Sequence, residues 1–247
     1  MKKAPTRKGR NEIKYFIEPA MVPALLDYSR AHIVHDEHAL HQPDFRYTVR
    51  SLYYDSPDLN FYWEKIDGLK VRRKLRIRTY NTRDENSVAF LEIKRRYGTA
   101  VVKERAKYSF DEIVKLMSSP ENIWLSYKQS TDGSLVLGKW IDNIVRWSLE
   151  PTILVVYERE PYVGRFEDEN NIRLTIDSDV RIRVTDNIDQ AFADENLTHV
   201  VSNLCVLELK YNHFMPKWMR GLVKEFSLQQ RSISKYCMGV DEGIFNN

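Results

Sequence analysis

Polar and apolar residues alternate along much of the chain. In "RRKLRIRTY" (72–80), Lys74, Arg76 and Arg78 fall on one side and Leu75, Ile77 and Thr79 on the other, the period of two that a β-strand imposes. Strand-like runs recur at 11–17, 47–55, 71–80, 87–97, 100–110, 151–160, 172–177, 180–185 and 204–212. "YGTA" between the fourth and fifth runs predicts a tight hairpin, and "DSD" at 177–179 predicts a second turn. Period-3.6 spacing predicts helices at 18–34, 135–147 and 216–226, with Pro19 and Pro216 near the starts of the first and last. "SISKYCMG" predicts a short final helix capped by Ser232. Strands with short connections and a few helices give an α+β chain whose antiparallel sheet can close into a barrel.

Charge follows the same parity. Glu12 and Lys14 share a face, as do Glu92, Lys94 and Arg96, then Lys103, Arg105 and Lys107, then Glu208 and Lys210. Arg173 and Asp177 oppose Ile172, Leu174 and Ile176, and Arg181 and Arg183 oppose Ile182 and Val184. Arg159 follows the apolar run "ILVVY". A sheet with one wet face also alternates. Wet faces, however, mix neutral polar residues and both charge signs, whereas these carry mostly Lys and Arg, while acidic residues gather in "FEDEN" (166–170). Like charges side by side repel. The pattern therefore implies a concave cationic surface awaiting a polyanion.

Composition narrows the reading without redirecting it. The chain has 247 residues, 43% hydrophobic and 12% aromatic, with a net charge of only +3 although 30% of residues are charged. That is a globular composition whose field depends on where the cations sit. Residues 1–9 read as a flexible basic arm and 10–247 as a single domain. Two cysteines, no secretory signal and no membrane-length apolar run lead to the expectation of a cytoplasmic protein, with any membrane anchor on an unidentified partner. No P-loop or Rossmann phosphate motif is present. His32, His35, His38 and His41 recur every three residues without the Cys partners of a local zinc site and read as a solvated helix end and loop.

Fixed cations in a walled cavity suit phosphate oxygens, and phosphoryl transfer needs mainly positioning, charge neutralisation and Mg²⁺ or Mn²⁺. Glu12, Glu92, Glu158, Asp177 and Glu208 are the candidate oxygen ligands. Nucleic acid is the weaker alternative partner. Such a surface needs aromatics among its cations, and Tyr80 shares parity with Arg76 and Arg78 while Tyr97 does not share it with Lys94.

"RNEIKY", "SLYYDS", "RKLRIRTY", "FLEIKRR", "VVKERAKY", "VVYEREPY", "IRLTID", "VLELKY" and "SISKYC", in that order, resemble the polyphosphate polymerase domain of the vacuolar transporter chaperone (VTC) complex. More broadly they are similar to the CYTH-like triphosphate tunnel metalloenzymes. The resemblance spans about residues 10 to 240. It implies an eight-stranded antiparallel β-barrel, a triphosphate tunnel with flanking helices and a charged interior. It further implies a nucleoside triphosphate, triphosphate or polyphosphate as ligand, with Mn²⁺ or Mg²⁺ as cofactor. The activity implied is transfer of the terminal phosphate of ATP onto a growing chain, which leaves through the tunnel; a triphosphatase and a non-catalytic polyanion-binding module are the alternatives. Together with the strand faces, the motifs give Arg76, Arg78, Lys94, Arg159 and Arg173 as catalytic residues. Lys14, Lys74, Lys103, Arg105, Arg181, Lys210 and Lys235 are expected to bind phosphate, and Glu208, Glu12 and Glu92 the metal. The hydrolytic members carry E-x-E-x-K on the first strand. Here Arg10-x-Glu12-x-Lys14 stands in its place, which favours the VTC branch. The SPX-type region and membrane segments of the eukaryotic polymerase have no counterpart, so a stand-alone domain is expected.

Overall fold

The computed structural model describes residues 10–98, 100–119, 121–123, 125, 135–166 and 170–246; residues 1–9, expected to form a basic arm, lie outside them. Eight antiparallel strands form one continuous path. They are β1 (Asn11–Ile17), β3 (Tyr47–Asp55), β4 (Val71–Tyr80), β5 (Val88–Tyr97), β6 (Ala100–Ser109), β7 (Glu150–Gly164), β8 (Arg173–Val184) and β10 (Cys205–Tyr211), in the spatial order β1-β10-β8-β7-β3-β4-β5-β6. Two short strands, β2 (Ile33–His35) and β9 (Thr198–His199), pair with β7 and β8. The sheet curls until Lys94 Nζ on β5 lies 3.8 Å from Glu12 on β1. Among the described residues, β1 and β6 are not hydrogen-bonded to each other, so the expected barrel is a deeply curled half-barrel.

Alternation sorts the side chains as the sequence implies, but the dry core is on the outside of the curl. Leu75, Ile77, Leu91, Ile93, Leu154 and Val156 pack outward under α3 (Phe110–Met117) and α4 (Leu135–Trp147), around the fully buried Trp140. Tyr15, Ile17, Leu174, Ile176, Leu207 and Leu209 pack outward under α1 (Val22–Ser29) and α5 (Lys217–Glu225). The mostly aliphatic outward positions meet amphipathic helix stripes, burying roughly 25 cal/mol of stabilisation per Å² of apolar surface. Ser109 and Glu112 form a reciprocal capping box that starts α3 where β6 ends. At the β5–β6 hairpin, Gly98 takes a φ of 59°, a conformation cheap only for glycine.

Only part of the concave face is dry. There Val49, Ile153, Val155, Val180 and Ile182 contact Tyr236, Cys237 and Val240 of α6 (Lys235–Val240). α6 is capped by Ser234, whose side chain accepts from Cys237 N, and not by Ser232. The expected turn at 177–179 is also absent: β8 runs unbroken from 173 to 184. Its pairing with β7 shifts register between Val156 and Glu158, and Asp179 adopts a φ of 52°. This bulge-like irregularity resets which residues face inward.

Candidate polyanion channel

The concave face collects side chains from every strand of the main path. On the β4–β5–β6 wall, Lys74 is level with Lys94 and Lys103, and Arg76 with Glu92 and Arg105. Glu92 is buried and sits at the centre of this wall. Its carboxylate lies 2.6 Å from Arg76, 2.7 Å from Lys103 and 3.4 Å from Arg105. Burial pushes its carboxyl up, but Arg76, Arg78 and Lys103 outweigh burial and hold it far below the usual range. Arg78, 7% exposed, donates only to Ser51 Oγ at 3.3 Å and Tyr157 Oη at 3.4 Å; among the described residues no carboxylate lies within ion-pair distance. Tyr53 Oη accepts from Arg76 at 2.9 Å. Burial raises the Tyr53 phenol, but Arg76, Lys74 and Arg78 bring it down to about 8.

The β1–β10–β8–β7 wall is built on two carboxylates. Glu208 is buried, 2.8 Å from Lys14, 2.5 Å from Lys210 and 3.9 Å from Arg159. Asp177, 0% exposed, takes two hydrogen bonds from Arg159, at 2.7 and 2.8 Å, and one from Lys235 at 2.6 Å. For both acids burial raises the carboxyl, and the surrounding cations outweigh it. Lys14 Nζ bridges Glu208 and Glu12, the latter at 3.2 Å. Glu12 is pushed up by burial and by Glu208, and drawn down to about 2 by Lys210, Lys14 and Lys94.

The structure thus gathers Lys14, Lys74, Arg76, Arg78, Lys94, Lys103, Arg105, Arg159, Lys210 and Lys235 on one concave surface, with Glu12, Glu92 and Glu208 among them. Arg173 stands at the rim, half-exposed and 3.9 Å from Asp36. Arg181 does not join them. After the register shift it points outward, 3.0 Å from Asp179 and 3.6 Å from Glu158. Glu158, a candidate metal ligand by residue type, is also on the outside and accepts from Thr48 at 2.9 Å. Sequence reasoning missed Ser51, Tyr53, Tyr157 and Ser234, whose hydroxyls contact the channel cations. Parity with Arg159 would have flagged Tyr157; nothing in the mixed run 47–55 flags the first two. The histidine series disperses: His32 stacks on Trp218, His35 on Phe45, and His38 is exposed.

Among the described residues no three His, Cys, Asp or Glu side chains come together closely enough to hold a metal ion by themselves. Glu12 and Glu208 nevertheless fit a hard cation that takes one or two carboxylates and completes its shell with phosphate oxygens and water. The Lys14 ammonium bridging the pair marks a point where the site demands positive charge.

Fold and site together define a curled-sheet protein with a cation-lined channel. The sequence matches the VTC domain family over residues 9–242, and the chain belongs to that family. Comparison with curated proteins returns no match. Among solved structures, it is similar to a protein from Hippeastrum described as an adenylyl cyclase with a dominant triphosphatase activity, at 14% identity and a TM-score of 0.47 over 95% of this chain and 97% of that one. It is also similar to the capping-enzyme triphosphatase of Mimivirus, at 10% identity and a TM-score of 0.33 over 88% and 87%. Similarity this distant carries no functional weight. Among the described residues no helix is long and apolar enough to cross a membrane.

Proposed function

We propose that the chain is a phosphotransferase that binds a nucleoside triphosphate in the concave channel and transfers its terminal phosphoryl group onto a phosphate chain, making polyphosphate. The observation that carries this reading is the inward convergence of Lys and Arg, with Arg78 buried and, among the described residues, hydrogen-bonded to neutral oxygens only. A buried guanidinium without a carboxylate is costly unless an anion completes it. Membership of the VTC domain family supports the polymer-forming version of the chemistry.

A terminal oxygen of the acceptor chain attacks the γ-phosphorus. The bond from that phosphorus to the β-bridging oxygen breaks, and nucleoside diphosphate leaves with the bond pair. Arg76 and Arg78 face the transferred group from one wall, Arg159 and Lys210 from the other, and neutralise charge on its oxygens. Glu92 holds the forks of Arg76 and Arg105 in place, and Asp177 does the same for Arg159. Glu208 and Glu12 would hold Mn²⁺ or Mg²⁺, which when bound would neutralise further charge on the phosphate oxygens.

The test is incubation of purified protein with ATP and Mn²⁺, reading products by gel and by phosphate release. Long-chain phosphate is expected. Orthophosphate and nucleoside diphosphate alone would make the protein a triphosphatase. Intact ATP with retained binding would make it a polyanion-binding module.

A further inference from the structure

We infer that the nucleoside of the donor sits in a separate, largely apolar pocket beside the channel, near the start of β4, and that this pocket makes the protein prefer a nucleotide to a bare triphosphate. The inference rests on the polyanion reading above and adds where the rest of the donor is held.

A cavity of about 590 Å³ opens between residues 231–234, α6, the end of β1, the loop after β9 and the end of α2 (Asn60–Ile66). Small-molecule sites usually enclose about 300–1,000 Å³. Phe16, Val200, Leu204 and Met238 supply apolar walls. α6 turns Ser234, Cys237, Met238 and Asp241 towards it, the i, i+3, i+4, i+7 spacing of one helix face. Tyr236 and Val240 lie off that face and pack against the sheet. Three contacts join the cavity to the channel. Ser234 lines the cavity, and its Oγ accepts from Lys74 of the channel at 2.5 Å. Arg231, also in the lining, donates from its backbone N–H to Lys14 O at 2.9 Å. Phe16 is the next inward residue of β1 after Lys14, about 7 Å further along the strand.

The polar groups give the cavity a direction. The Lys74 ammonium marks its channel side through Ser234. Asp241 stands seven residues further along the chain from Ser234, about 10 Å at 1.5 Å per helical residue, and its carboxylate accepts from Tyr62 Oη. A carboxylate repels phosphate and accepts from N–H groups. The phosphates of a bound nucleotide therefore run past Lys74 into the channel, and the amino edge of the base turns to Asp241. The ring of Phe16 and the thioether of Met238 suit the flat, polarisable faces of a base. A triphosphate without a nucleoside meets the channel cations alone and gains nothing from these apolar walls.

The test is calorimetric binding of ATP and of methyl triphosphate, which keeps the phosphate chain and lacks the nucleoside, to the full chain in EDTA, so that the donor is not turned over. Ser202 and Ile66 line the cavity from exposed positions. Ser202→Trp fills the cavity, and Ile66→Ala removes part of its wall without adding bulk. The wild type should bind ATP at least about tenfold more tightly than methyl triphosphate. Ser202→Trp should bring ATP down to the level of methyl triphosphate, and Ile66→Ala should weaken ATP by about threefold. Both variants should bind methyl triphosphate as the wild type does. If ATP and methyl triphosphate bind the wild type equally, if ATP keeps its advantage in both variants, or if the variants weaken the two ligands alike, this inference falls and the polyanion reading stands. If neither ligand binds the wild type, both fall.

Discussion

Replacing Asp177 by Asn tests whether the channel's cations are held in place against their own repulsion. Asp177 is the shared counter-ion of Arg159 and Lys235, with contacts of 2.7, 2.8 and 2.6 Å. Asn keeps the shape and removes the charge, leaving a buried guanidinium and a buried ammonium facing one another. Removing one partner of a buried ion pair costs about 3–5 kcal/mol. For a chain of this size each kcal/mol shifts Tm by about 2–4 °C, so D177N should melt about 6–20 °C below the wild type near neutral pH. The sign of the pH dependence follows from the direction of the shift. Burial raises the Asp177 carboxyl, but Arg159 and Lys235 lower it more, so its pKa in the folded chain lies below the unfolded value. The wild-type advantage is therefore complete above the unfolded pKa of about 3.9 and is lost as pH falls below it. Tripolyphosphate supplies the missing negative charge, so at saturation it should raise the Tm of D177N more than that of the wild type. Thermal melts across pH, with and without tripolyphosphate, provide the assay. A D177N melt within about 2 °C of the wild type at neutral pH, or an equal ligand-induced shift in both proteins, would refute the reasoning.

Arg78→Met exchanges a buried cation that, among the described residues, has no carboxylate within ion-pair distance for an apolar chain; the protein should still fold while tripolyphosphate affinity falls about a hundredfold, measured by melting and calorimetry. Glu208→Gln should raise the metal concentration for half-maximal activity by about tenfold or more, and an unchanged metal titration would remove Glu208 as a ligand. Burial lowers the Lys74 ammonium to about 8. Its charge is present below that value and lost above it, so tripolyphosphate binding should weaken as pH rises through it, and Lys74→Arg should flatten the profile.

The inward and outward faces of β4, β5 and β6 were legible because each is an unbroken alternation, so one aliphatic residue fixes the direction of its neighbours. Arg181 was misplaced because the cationic side of 180–185 was assigned to the concave face by its charge. "DSD" looked like a turn between two strands, whereas it lies in one strand whose alternation is reset, with Asp179 at positive φ. A change of one residue in register inverts every side chain beyond it, and the sequence marks it only with polar residues equally at home in a turn. Ser51 and Tyr53 were invisible because β3 is buried on both faces and has no polar side to read. The insertion of α6 into the curl was equally hidden. "SISKYC" predicts a capped helix, but its apolar face does not say which surface of the sheet it covers, and the expected cap Ser232 is separated from the observed cap Ser234 by Ile233 alone.

The inverted curl also has a consequence for how this protein can change. In β5, Leu91 and Ile93 keep the helices attached, while Glu92 and Lys94, their immediate neighbours, face the channel. Adjacent positions can thus change separately, one set governing packing and the other the channel's charge. New specificities should be reachable by randomising alternate positions alone, on a scaffold whose helix-covered layer never has to be redesigned.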